Sequence, residues 1–322
     1  MEQYRKVWID CDPGIDDSFA LLLAMKHLDV LGITTVGGNT GLKYTSRNAR
    51  YVTELAGKGT IPVYQGYDLP MFSGLERAEA VHGSTGLGNI RVPEQNRPMP
   101  GEHAADVLID TFRHRSDVTL ITLGPLTNVA QALLKAPELK SRIPEILCMG
   151  GSVTAGNMNA CAEFNIGVDP EAAQIVFQSG IPIRMVGLNL CRQNAMTMAD
   201  VKRLQTMSGA VAEFAAELLA YSVNLGRQSQ LCDACAIAWL IDPSVITCAL
   251  PMHVQVETKG EFTRGMTVCD YREYLGIVPQ EDIGRMSGHR AEDGQKNILA
   301  AMDFDAPRFK ELLFQTIKSY EV

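Results

Sequence analysis

No stretch of this sequence offers the roughly 20 uninterrupted apolar residues that a bilayer-spanning helix needs. The best uncharged run, residues 118–134, is broken by Gly124-Pro125 and Asn128. The amino end, Met-Glu-Gln-Tyr-Arg-Lys, lacks the apolar core and small-residue cleavage site of an export signal. Positive charge is also short. There are 29 Lys and Arg against 37 Asp and Glu, a net charge of -8 that repels polyphosphate and excludes nucleic acid and anionic membranes as partners. Cysteine, at 8 irregularly spaced residues in 322, is too sparse for a disulfide scaffold. Together these absences predict a soluble, cytoplasmic protein with reduced thiols. Gly-x-Gly-x-x-Gly, Gly-x-x-x-x-Gly-Lys, His-Glu-x-x-His and Gly-x-Ser-x-Gly are missing too. Their absence removes the motif arguments for dinucleotide, nucleotide-phosphate, zinc-protease and serine-hydrolase chemistry.

What is present is a chain 46% hydrophobic, enough to bury a large core. Short aliphatic runs alternate with helical periodicity. Strands are predicted at 6–9, 30–36, 61–64, 118–123, 143–149 and 183–186. Helices are predicted at 16–26, 43–56, 102–114, 126–134 and 170–177. Residues 200–240 read as mostly helical, and 254–257 with 266–269 as a late, antiparallel hairpin. Strand, crossover helix, strand in this order predicts an α/β fold with a mainly parallel sheet and helices on both faces. No linker or repeat divides it, so residues 1–322 read as one domain. Ligands of such sheets bind outside the carboxyl ends of the strands. Here that means 10–17, 37–39, 123–128, 150–165 and 187–193.

The sharpest signal lies in the first of these loops. Asp10-Cys11-Asp12-Pro13-Gly14-Ile15-Asp16-Asp17 crowds four carboxylates after an apolar strand and at a helix entrance. The helix dipole offsets part of their repulsion, about 0.3–1 kcal/mol per contact, whereas a hard divalent cation would offset far more. Oxygen-only ligands suit Ca2+ or Mg2+; the plain alternative is an Asp-rich capped turn. A second signal is Cys232-Asp233-Ala234-Cys235, before an apolar helix. It reads as a zinc half-site, a redox pair, a helix cap at Asp233, or, alongside the first cluster, a distant metal ligand.

The Asp-rich run resembles the amino-terminal signature of the nucleoside hydrolases, the inosine-uridine-preferring N-ribohydrolase family. Further stations follow in that family's order: Val36-Gly37-Gly38-Asn39, Val81-His82-Gly83, Gly124-Pro125-Leu126-Thr127-Asn128, Met149-Gly150-Gly151, Ala162-Glu163-Phe164-Asn165, Asp169-Pro170-Glu171-Ala172-Ala173 and Asp233-Ala234-Cys235-Ala236. The resemblance implies a Rossmann-like sheet, a Ca2+ ion at the bottom of a pocket, and hydrolysis of ribonucleosides to ribose and free base. It further implies metal ligation by Asp12, Asp17, Asp233 and the backbone carbonyl of Leu123, with Asp12 also taking the proton of the attacking water. Asp16, Asn39, Asn157, Glu163 and Asn165 would grip the ribose, with Phe164 and His82 toward the base. Breaking a C1'–N bond passes through an oxocarbenium-like sugar, so such a site must deliver a water and assist the departing base. The expected partner is a small ribonucleoside, and the expected assembly a homodimer or homotetramer.

The sequence departs from the family at two places. Cys232 stands where many members have a histidine that protonates the leaving base. A thiol can give a proton but is a weak hydrogen-bond donor, so Cys232, His82, Tyr221, Arg227 and Gln228 all come into question as donors. Leu188-Asn189-Leu190-Cys191-Arg192-Gln193 replaces the commoner Leu-Asp-x-Thr-x-Gln. Taken alone, Asn39 also reads as a turn residue, Asn157 as a backbone-bonded loop residue and His82 as an exposed one. Glu163 and Asn165, with period-two spacing, would face the same way from an extended loop. Two rival functions remain open: a catalytically weakened nucleoside-binding protein, suggested by Cys232, and an Mg2+-dependent phosphohydrolase, suggested by Asp-x-Asp after a strand.

Overall fold

A computed structural model describes residues 4–72, 77–95, 98–226, 229–277 and 296–321. Their strands are β1 (Lys6–Cys11), β2 (Asp29–Thr35), β3 (Val63–Gln65), β4 (Thr119–Thr122), β5 (Ile146–Met149), β6 (Ile183–Val186), β7 (Ile246–Val256), β8 (Thr267–Asp270) and β9 (Ile298–Phe304). They form one sheet in the order β3-β2-β1-β4-β5-β6-β9-β7-β8. Every pairing from β3 through β9 is parallel, and β7 runs antiparallel to both β9 and β8.

The alternation of β1 explains why its sequence is apolar throughout. Val7, Ile9 and Cys11 enter the core on one face while Trp8 enters the core on the other. A strand covered on both sides needs no polar face. The first core packs the helices Ile15–His27, Cys232–Ile241 and Ala306–Lys318 against the sheet. The second packs Ala104–His114, Thr127–Lys135 and Pro170–Phe177. Helix Ile15–His27 carries Asp16 and Asp17 in its first turn and Lys26 and His27 in its last, the charge order its dipole favours. Phe19 and Leu21 to Leu23 are fully buried, each burial contributing about 1.5–3 kcal/mol. The acidic turn before this helix therefore sits on a rigid base.

The predicted α/β architecture holds, with the ends of β1 to β6 within three residues of those predicted and β7 starting earlier, at Ile246. The late hairpin is present, with Val254 opposite Cys269 and Val256 opposite Thr267. Besides short helices such as Phe164–Val168, two longer elements went unread: β9 and the helix Ala306–Lys318. β9 lies between β6 and β7, so its place in the sheet depends on partners far away in the chain. The topology also fixes where a ligand goes. From β1 the chain proceeds outward to β2 and β3, then returns to place β4 on the other side of β1. The crevice outside the carboxyl ends of β1 and β4 is the switch point of the sheet, and Asp12 and Leu123 stand there.

Candidate active site

Asp10, the last-but-one residue of β1, is fully buried beneath the crevice. Its Oδ1 accepts Thr34 Oγ1 at 2.6 Å and Asn128 Nδ2 at 2.8 Å. Asn128 also donates to Thr35 O at 3.1 Å and accepts from Tyr67 N at 2.9 Å, so it ties β1, β2 and the segment after β3 together. Burial nevertheless pushes the Asp10 carboxyl up to about 7.

Above it, Asp12 Oδ2 accepts Asn39 N at 2.6 Å. Gly38 makes that approach possible, because a Cβ there would lie 2.1 Å from the same oxygen. Asn39 Nδ2 donates to Asp12 O and to Asp17 Oδ2, at 3.1 and 3.0 Å. Gly14 N donates to Asp17 Oδ2 at 2.9 Å. Asn39 is thus more than a turn residue: it holds two of the acids in place. Asp233, in the first turn of helix Cys232–Ile241, reaches the same spot from the far end of the sequence. Asp16, Asp17 and Asp233 each offer an oxygen within 4.8 Å of the others. Asp12 is next to this trio but outside it.

The cluster is short of positive partners. Asp12 Oδ1 and Asp233 Oδ1 are buried and accept no hydrogen bond. Burial, then the charge of Asp17, pushes the Asp12 carboxyl well above the usual range. Burial, then Asp16, Asp17 and Asp12, does the same to Asp233. Burial and Asp16 raise Asp17 to about 7. Orphaned buried oxygens cost free energy, and an all-oxygen acidic set is what a hard cation such as Ca2+ or Mg2+ binds. The residues present therefore fit a divalent metal.

A cavity of about 410 Å3 opens over the cluster, within the range that takes a small ligand. Its walls include Asp16, Asn39, His82, Leu123, Asn157, Glu163, Phe164, Asn165, Cys232 and Asp233, so the structure brings these expected residues together. Asp12 and Asp17 lie buried behind the wall. Arg227 and Gln228 lie outside the described residues. Tyr221 packs its ring over Gly88 rather than lining the cavity, and Ser222 takes the wall position. Arg77, Met149, Met158 and Gln230 line it too. Met149 belonged to a quoted motif at the end of a predicted strand, but Arg77, Met158 and Gln230 carried no motif or periodicity, so nothing in the sequence separated those three from ordinary loop residues.

Several side chains have more to do than their sequence suggested. His82 is buried, and its Nδ1 accepts Ile15 N at 3.0 Å. Burial lowers its pKa. A ring accepting at Nδ1 is neutral and carries its proton on Nε2. The extended-loop reading of Glu163 and Asn165 is corrected: Glu163 is the N-cap of the short helix Phe164–Val168. Its carboxylate accepts Asn165 N, Ile166 N and, from across the crevice, Gly151 N at 2.8 Å. Burial raises its pKa to about 7. Asn165 Nδ2 donates to Leu123 O at 2.9 Å, leaving that carbonyl a second lone pair. Asn157 accepts Phe164 N at 2.9 Å while still facing the cavity, so its two readings coexist. The divergent 188–193 segment also has a structural task. Asn189 holds Val153 N and Ala301 O, and Arg192 donates to Ala155 O and Gly156 O, pinning the loop that carries Asn157.

An acidic, amide-lined cavity at the switch point of a parallel sheet defines an α/β enzyme acting on a small polar ligand. Comparison with known proteins makes this specific. Residues 7–311 match the family model described as inosine-uridine preferring nucleoside hydrolase. An inosine-uridine preferring nucleoside hydrolase of Leishmania major is 38% identical over 83% of this chain and 88% of its own. The pyrimidine-specific ribonucleoside hydrolase RihA of Salmonella gallinarum is 37% identical over 97% of this chain and 98% of its own. Among solved structures, a purine-preferring ribonucleoside hydrolase from Gardnerella vaginalis superposes with a TM-score of 0.85 at 30% identity, covering 98% of this chain and 99% of that one. The chain belongs to the inosine-uridine preferring nucleoside hydrolase family and is a nucleoside N-ribohydrolase. That membership sets aside the phosphohydrolase reading.

Proposed function

We propose that this enzyme is a Ca2+-dependent hydrolase that cleaves the N-glycosidic bond of ribonucleosides to ribose and free base, serving nucleoside salvage in the cytoplasm. The observation that carries the metal is the pair of buried, unpartnered oxygens on Asp12 and Asp233. Asp12, Asp17, Asp233 and the Leu123 carbonyl would hold the ion. Asp16 is a further carboxylate of the same cluster. Bound there, Ca2+ would acidify a water and give hard oxygen ligands such as a ribose diol a site to bind.

The chain's own groups supply the remaining chemistry. Asp12 Oδ1, free of any donor, is the acceptor for the proton of the attacking water. Asp16, Asn39, Asn157, Glu163 and Asn165 bind ribose hydroxyls, turning binding energy into orientation at C1'. The aromatic ring of Phe164 covers the route toward the base. His82, neutral and with its free N–H on Nε2, donates a hydrogen bond to the departing base rather than acting as a cationic acid. Cys232 Sγ–H is the second donor on that wall. The site thus relies more on stabilising positive charge at the sugar than on full protonation of the base.

The test is a panel of purine, pyrimidine and nicotinamide ribosides, assayed with and without a chelator. Free ribose should appear without phosphate, stop on chelation and return with Ca2+. Undiminished activity in metal-free protein, or ribose 1-phosphate as product, would refute the proposal.

A further inference from the structure

Among the described residues the cavity wall carries one fixed positive charge, Arg77, and the hydrolytic chemistry leaves it without a task. Its side chain is 15% exposed. Nη1 donates to Thr40 O at 2.5 Å, and Nη2 donates to Asp68 Oδ1 at 2.8 Å. Thr40 O also accepts Gly38 N at 3.1 Å, which closes the turn of residues 37–40 that carries Asn39. Asp68, in the segment after β3, accepts Leu42 N on the same Oδ1 at 2.7 Å, where the helix Leu42–Leu55 begins. The fit is close: a Cβ at Gly37 would lie 2.4 Å from Asp68 O and 2.9 Å from Arg77 Nη1. The turn is thus held at Thr40 by the guanidinium and at Asn39 by the acids, with Asn39 N on Asp12 Oδ2 and Asn39 Nδ2 on Asp17 Oδ2.

We propose that Arg77 is a positioning residue for nucleoside hydrolysis, whose guanidinium clamps the 37–40 turn to Asp68 and so keeps Asn39 on Asp12 and Asp17. The turn needs such a hold. Gly37 and Gly38 give it the freest backbone a chain can have, and close approach requires both, Gly38 to Asp12 and Gly37 to Asp68. The planar fork of arginine presents several donors in a fixed geometry and meets a carbonyl and a carboxylate at once, which the single ammonium of lysine does not. Released from the fork, the turn relaxes, Asn39 N withdraws from Asp12 Oδ2, and the carboxylate that takes the water's proton loses its orientation. Arg77 acts through Asn39 rather than on the substrate. The kinetic consequence rests on the roles proposed above for Asp12 and Asn39; the clamp itself does not.

The test compares wild type with Arg77→Met, which keeps an apolar stem and removes the fork, by hydrogen exchange and by kinetics. In Arg77→Met the peptide covering residues 37–42 should lose protection, because the amides of Gly37, Gly38, Asn39 and Leu42 are all hydrogen-bonded in the held turn. Peptides of the helix Ile15–His27 should exchange as in wild type. The value of kcat/KM should fall by about tenfold or more, and Arg77→Lys should recover little of it. In an Asn39→Ala background the same Arg77→Met substitution should cost only about twofold, since residues that act through one another are non-additive. Asp68→Ala, at the half-exposed far end of the clamp, should release the same peptide, and it decides the matter if Arg77→Met folds poorly. Native exchange at 37–42 in these variants, full activity in Arg77→Lys, or an equal loss with and without the Asn39 side chain overturns the proposal. If wild-type protein hydrolyses no nucleoside, the proposed function fails, while the exchange still decides the clamp.

Discussion

Asp12 and Cys232 sit on opposite sides of one question, which group moves a proton. Asp12 combines a fixed Oδ2, held by Asn39 N, with an Oδ1 that has no partner at all, the arrangement of a base awaiting its substrate. Asp12→Asn should therefore lower kcat by about 10²–10⁴, and Cys232→Ala by far less, measured as ribose release under saturating nucleoside. Equal losses would make the thiol an essential acid. The position of His82 depends on a residue that touches no substrate. At Gly14 a Cβ would lie 2.3 Å from His82 Nδ1 and 2.9 Å from Asn39 Nδ2. Gly14→Ala should displace both the His82 ring and the Asn39 amide, cutting kcat/KM on the order of 10²-fold while circular dichroism stays native. The sequence showed Gly14 within a motif but not what pressed against it, since His82 is a neighbour only after folding.

At the scale of elements, each loop of the site owes its shape to a polar side chain anchored below. Asn128, in the helix Thr127–Lys135, satisfies Asp10 in β1, Thr35 in β2 and Tyr67 after β3. Asn128→Ala would leave buried Asp10 and two backbone groups short of a partner. The expected loss is about 1–3 kcal/mol, read as a lower urea midpoint at unchanged slope. Similar logic explains which elements were legible. β1 and the helix Ile15–His27 announce themselves by a doubly buried apolar run and charges ordered along the dipole. The short helix Phe164–Val168 did not, because five residues carry too little periodicity and its cap, Glu163, divides its carboxylate between the helix's own first turn and Gly151 N of a separate loop. β9 escaped for another reason: its seven residues include Met302 and Asp303, and the pattern that makes them a strand lies in β6 and β7.

For the whole molecule, the acidic cluster couples folding to metal. Carboxylates gathered from residues 12, 17 and 233 are close together only in the native state, so a divalent ion binds the folded chain and not the unfolded one. Ca2+ at a hundredfold excess over its Kd should then add about 2.7 kcal/mol of stability, seen as a rise in Tm over chelated protein; an unchanged Tm would argue against a resident ion. By itself the sequence determined the class of fold, through alternating strand and helix periodicities, and the family, through an ordered series of short motifs. It also marked Asp12, Asp17, Asn39 and Asp233 as chemically unusual, because carboxylates and amides beside apolar strands stand out in one dimension. Only the tertiary structure decided which of them meet, which oxygens lack a partner, and that His82 is held neutral by Ile15 N. Those facts depend on distances between segments far apart in the chain, which are set by packing on the two faces of the sheet.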